Sequence, residues 1–153
     1  MMPPFLFHHI GLACLDLEVE RCAHLALGFE AEGDVFVDPV QRIRGQFLRS
    51  GAFRVELLIP TTEDSPLHGF LRRGQKMYHQ AFEVADLAAA VRQLRAAGAL
   101  LVVPPCPAVA FGGRKICFLM LKTEMLVELI AASQPEAAPS SRSPAVKSPG
   151  ETP

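Results

Sequence analysis

With 153 residues, the chain can form one domain with a hydrophobic core or two small modules that share one, and it is too short for two independent domains. A formal net charge of −1 and a pI near 6.5 supply no basic face for nucleic acid or an anionic membrane, which leaves small molecules and proteins as partners. The four cysteines, Cys14, Cys22, Cys106 and Cys117, form no CxxC pair, and three of them sit in apolar runs, as expected in a reducing compartment.

The opening "MMPPFLF" has neither a basic region nor a long apolar run, so no signal peptide or membrane span is expected and the cytoplasm is the expected location. An apolar strand follows, ending at Cys14, and it carries two adjacent histidines, His8 and His9. Alternation along a strand sends these to opposite faces, so only one of them can face a cleft. Asp16 reads as the N-cap of a helix, "LEVERCAHLAL", that stops at Gly28. Three strand-like runs come next, "DVFVDP", "IRGQFL" and "FRVELLIP". After a connecting segment, 61–75, the events recur: a strand from His79 to Val84, a cap at Asp86, the helix "LAAAVRQLRAA", a stop at Gly98, and the runs "LLVVPP", "KICFLML" and "MLVELIA".

A shift of 70 residues superposes His9 on His79, Asp16 on Asp86 and Gly28 on Gly98, so the chain reads as a duplicated βαβββ module. The first module is expected over 5–60 and the second over 76–132, together making one α+β domain over 5–132. The Pro-, Ser- and Ala-rich tail, 133–153, has little to bury and is expected to be disordered.

The duplication repeats a histidine on the first strand and a glutamate on the last: His9 and Glu56, then His79 and Glu128. The match to His79 selects His9 over His8. Any one of these alone reads as a core or edge residue. Repetition in both modules points instead to four ligands meeting in a shared cleft, because two carboxylates in apolar strands need a compensating cation. Two imidazoles and two carboxylates suit one divalent transition metal, Co²⁺, Zn²⁺, Ni²⁺, Mn²⁺ or Fe²⁺, rather than Ca²⁺.

With these positions in hand, the chain resembles the vicinal oxygen chelate superfamily, which includes glyoxalases, bleomycin-resistance proteins and dioxygenases. Its paired βαβββ modules form a cupped mixed sheet around a metal. Within it the resemblance is greatest to the methylmalonyl-CoA epimerases, through "HHIGLA", "VELLIP", "EDSPLHGFLRRG", "YHQAFEVADLAAAVRQLRAAG", "GGRKICFL" and "LVELI". The chain departs from them in "LMLKTEM", which retains only Lys122 of their His-Pro-Lys-Ser turn. It also departs in the region Asp38 to Leu48, "DPVQRIRGQFL", where the strand that follows Asp38 supplies no carboxylate as an extra general base.

The resemblance implies the metal set His9, Glu56, His79 and Glu128, a homodimer, and an isomerase or lyase that moves a proton next to a carbonyl, on an acyl-CoA or another thioester. It implies Glu128 as the base, with Glu56 as the second candidate. The alternatives are a lactoylglutathione lyase-like enzyme, an extradiol-type dioxygenase, against which Glu56 is one ligand too many, and a drug-sequestering binding protein, against which the full ligand set argues. Arg72, Arg73, Lys76, Arg114 and Lys115 are candidate anion holders or plain surface charges. The loop Pro104 to Gly113 is a candidate cleft lining or an ordinary connection.

Overall fold

The computed structural model describes residues 4–133. Eight strands make one mixed sheet. In chain order the elements are β1 (Leu6–Ala13), α1 (Leu17–Ala26), β2 (Glu30–Asp38), β3 (Ile43–Ser50), β4 (Phe53–Pro60), α2 (Leu67–Arg72), β5 (Met77–Val84), α3 (Leu87–Ala96), β6 (Leu100–Pro107), a 3₁₀ turn (Val109–Phe111), β7 (Lys115–Met120) and β8 (Leu126–Ala131). The expected βαβββ pattern thus occurs twice, with α2 inside the connecting segment. The expected disorder of the tail concerns residues that, from 134 onward, lie outside those described.

Both long helices start as their sequences demand. The Asp16 carboxylate accepts the Val19 N–H at 2.9 Å, and the Asp86 carboxylate accepts the Ala89 N–H at 2.9 Å. Both helices are followed by a turn at a glycine in the left-handed region, Gly28 at φ 91° and Gly98 at φ 92°. Neither helix, nor any other among the described residues, is long and apolar enough to cross a membrane.

The sheet order is β2-β3-β4-β1-β5-β8-β7-β6. β1 pairs with β4 in parallel and β5 with β8 in parallel, while the seam between the halves, β1 against β5, is antiparallel. The four central strands are therefore the two that open and the two that close the modules, which are the strands bearing histidine and glutamate.

β4 and β8 are buried on both faces, so their sequences are almost continuously apolar. Val55 and Leu57 point toward α1, where they pack with Cys14, Leu17 and Leu48. Val127 and Leu129 point toward α3 and pack with Val84, Ala90, Cys117 and Leu119. The alternate residues Leu58 and Ile130 face the other side, among Ile43, Tyr78, Phe111, Ile116 and Phe118. Glu56 and Glu128 share that alternate parity, which carries them into the interior of the concave face.

Candidate metal centre

Strand register sets the four side chains in two rows across the sheet. In the first, Phe47 on β3 lies beside Glu56 on β4, Glu56 beside Gly11 on β1, and Gly11 beside His79 on β5. In the second, Phe118 on β7 lies beside Glu128 on β8, Glu128 beside Ala81 on β5, and Ala81 beside His9 on β1. Each row reads Phe, Glu, small residue, His, and each takes its histidine from the other module. The small residues leave room over the sheet. A Cβ on Gly11 would stand 2.3 Å from Cε1 of His79.

The structure brings together all four residues singled out by the repeat. His9, Glu56, His79 and Glu128 are all buried, and one ligand atom from each lies within 4.8 Å of the others. His9 Nε2 is 3.0 Å from Glu56 Oε2, 3.0 Å from His79 Nε2 and 3.4 Å from Glu128 Oε2. His79 Nε2 is 3.1 Å from Glu128 Oε2 and 3.4 Å from Glu56 Oε2. An ion bonded at about 2.1 Å to two ligands separates them by about 3.0 Å at a right angle and about 3.4 Å at the tetrahedral angle. These five distances span that range. Glu128 Oε2 is buried and makes no hydrogen bond of acceptable geometry. An orphaned carboxylate oxygen facing two imidazole nitrogens fits a divalent cation.

Proton equilibria report the same mutual field. Burial alone pushes the His79 imidazole down, but the Glu128 and Glu56 carboxylates more than reverse this and raise it to about 9. His9 is raised for the same reasons, with Glu56 the leading charge. Burial alone would raise Glu56 and Glu128, yet the facing imidazoles hold both below the ordinary carboxylate range.

His8 departs from the alternation expected of it. β1 and β5 slip register between Phe7 and His9, and again between Gly11 and Leu12, where Tyr78 is the extra residue on β5. These are paired β-bulges at equivalent places in the two modules. The bulge turns His8 onto the same side as His9, with its ring centroid 5.0 Å from that of His9 and 5.6 Å from that of Phe111. Its Nδ1 is 2.8 Å from His9 Nδ1. Burial, followed by the charges of His9 and Arg54, lowers its pKa to about 4. Tyr78 likewise sets its ring edge-on to His79, with centroids 4.8 Å apart.

Above the quartet lies a small cavity of about 30 Å³. Ile43, Leu58, Tyr78, Phe111, Ile116 and Phe118 form its apolar walls. Of the predicted loop Pro104–Gly113, the first four residues extend β6 to Pro107, while Ala108, Ala110 and Phe111 line the cavity. Asp38, also on the wall, accepts the Val40 and Gln41 N–H groups at 3.0 Å and the Val109 N–H at 2.9 Å, tying the β2–β3 turn to the second module.

None of the five basic candidates lines this cavity. Arg72, Arg73 and Lys115 are exposed, Lys76 pairs with Glu20, and Arg114 pairs with Glu83 at 3.0 Å while its guanidinium lies over Phe111. Sequence reasoning did not single out Gly11, Ala81, Phe47 or Phe118. Their near-equal spacing in the two modules, 70 residues from Gly11 to Ala81 and 71 from Phe47 to Phe118, was the available signal.

A profile for the glyoxalase/bleomycin resistance protein/dioxygenase superfamily matches residues 8–118. The chain is 32% identical over 127 residues to an ethylmalonyl-CoA/methylmalonyl-CoA epimerase of Cereibacter sphaeroides, covering 80% of this chain and 94% of that one. Its fold is similar to the crystal structure of methylmalonyl-CoA epimerase from Mycobacterium tuberculosis, with a TM-score of 0.72 at 30% identity over 84% of this chain and 88% of that one. It is also similar to a Streptomyces coelicolor methylmalonyl-CoA epimerase variant in complex with 2-nitronate-propionyl-CoA, with a TM-score of 0.71 at 29% identity over 84% and 98%. The two-module sheet, the matched profile and these relatives together place the chain in the glyoxalase/bleomycin resistance protein/dioxygenase superfamily.

Proposed function

We propose that the protein is a metal-dependent epimerase that moves a proton on the carbon next to the carbonyl of an acyl-CoA thioester. The observation that carries this reading is the buried quartet at the floor of an apolar cavity. The relatives, epimerases of methylmalonyl-CoA and ethylmalonyl-CoA, support the substrate class. His9, Glu56, His79 and Glu128 would hold one divalent transition metal. A cation held there supplies Lewis acidity to a substrate carbonyl oxygen and so acidifies the neighbouring C–H bond.

The chain's own residues do the rest. Glu128 takes the proton onto its carboxylate, whose Oε2 is buried without a hydrogen-bond partner, and returns it to the carbon. Glu56 is the second candidate, and its Oε2 is engaged by His9 at 3.0 Å. The remaining carboxylate on the cavity wall is Asp38, and its oxygens are already committed to three backbone N–H groups. Proton transfer thus falls to the quartet. Phe111, Phe118 and Ile116 keep bulk water from the reacting carbon. The active form is proposed to be a homodimer.

The test is deuterium incorporation from D₂O into methylmalonyl-CoA and ethylmalonyl-CoA. Glu128→Gln at matched metal occupancy should lower the exchange rate by about 10²-fold or more, because an amide cannot accept the proton. Glu56→Gln should be milder. Reversed effects would exchange the two roles, and normal exchange in both variants would remove the enolisation reading.

A further inference from the structure

We propose that His8 is a positioning residue for the metal centre: it accepts the His9 Nδ1–H and thereby fixes His9 as the anchoring histidine of the pair. The inference rests on the metal reading above, and it concerns a difference between modules that are otherwise alike.

The two bulges place His8 and Tyr78 at equivalent points, each one residue before a histidine of the quartet and each with its ring edge-on to that histidine. The packing is shared but the polar contact is not. His8 Nδ1 lies 2.8 Å from His9 Nδ1, whereas His79 Nδ1 is buried with no hydrogen-bond partner. Two imidazole nitrogens at that distance hold one proton between them. His9 Nε2 faces the quartet, so a His9 that ligates through Nε2 keeps its proton on Nδ1. His8 Nδ1 must then be the acceptor, with the proton of His8 on Nε2. A histidine ligand commonly donates its second N–H to an outer partner, which sets both tautomer and ring angle. Here a neighbouring imidazole takes the place of the usual carboxylate or carbonyl. The Arg54 guanidinium donates to the His8 carbonyl at 3.2 Å and steadies the bulge.

Co²⁺ titration of the full chain against a chelator of known affinity, with urea unfolding of the metal-free forms as a control, tests this. His8→Phe keeps the edge-on ring and removes the nitrogen, and should weaken Co²⁺ binding by about 10- to 100-fold with little change in metal-free stability. His8→Tyr copies the second module and serves the same purpose if the Phe variant does not fold. His8→Asn places an amide oxygen near the position of Nδ1 and should restore most of the affinity. Parental affinity in the Phe or Tyr variant would overturn the proposal, as would an Asn variant as weak as Phe. Parent protein that binds no Co²⁺ would overturn the metal reading and this inference together, whereas parental binding unaffected by His8 overturns this inference alone.

Discussion

Gly11 and His79 form the tightest approach in the site. A methyl group on Gly11 would stand 2.3 Å from Cε1 and 2.6 Å from Nδ1 of His79, so the imidazole must move if the β-carbon is to fit. Gly11→Ala should cost about 1–3 kcal/mol of stability by overpacking. It should also weaken metal binding more than the same change at a neutral site, read from urea midpoints and a chelator-competition titration. Parental behaviour on both counts would show that the ring has another place to go. Protonation gives a second test at this scale. His79 is raised from 6.5 to about 9, so its contribution to metal-free stability is complete below about pH 6.5 and is lost as pH rises through about 9. Glu56 is lowered from 4.5 to about 2, so its contribution is complete above about pH 4.5 and is lost as pH falls through about 2. The metal-free protein should therefore resist urea best between about pH 4.5 and 6.5. Midpoints that rise from pH 7 to 9 would contradict this.

The central strands carry the lesson about what sequence can reveal. β4 was legible to the residue, as "FRVELLIP" over Phe53–Pro60, because a strand buried on both faces is nearly all apolar and a glutamate inside it stands out. His9 and His79 were legible through repetition. The bulges at His8 and Tyr78 were not, because strict alternation assumes an unbroken ladder and nothing local in "FHHIG" marks the extra residue. The need for glycine at position 11 was equally hidden, since it arises from a side chain on the neighbouring strand rather than from its own turn. Asp38 acts at the scale of elements, joining the end of β2 to the 3₁₀ turn of the second module. Asp38→Asn keeps one acceptor oxygen but turns the other position into a donor facing a backbone N–H. It should cost about 1–3 kcal/mol, seen as a lower urea midpoint. An unchanged midpoint would mean that the tie contributes nothing net.

At the scale of the whole molecule, the outermost strands of the sheet are β2 and β6, and both expose apolar side chains: Val35 and Val37 on one, Leu100 and Val102 on the other. Open edges of this kind favour pairing with another chain, so the proposed homodimer should be visible by sedimentation at micromolar concentration. A monomer there would remove it. The seam between β1 and β5 has a further consequence. Because each row takes its histidine from one half and its glutamate from the other, no half owns a working set of ligands, and an ion bound there would rivet the halves together. Its affinity adds to fold stability only to the extent that free ion exceeds the dissociation constant. Under the metal reading, resistance of this protein to proteolysis would then rise with the concentration of free ion.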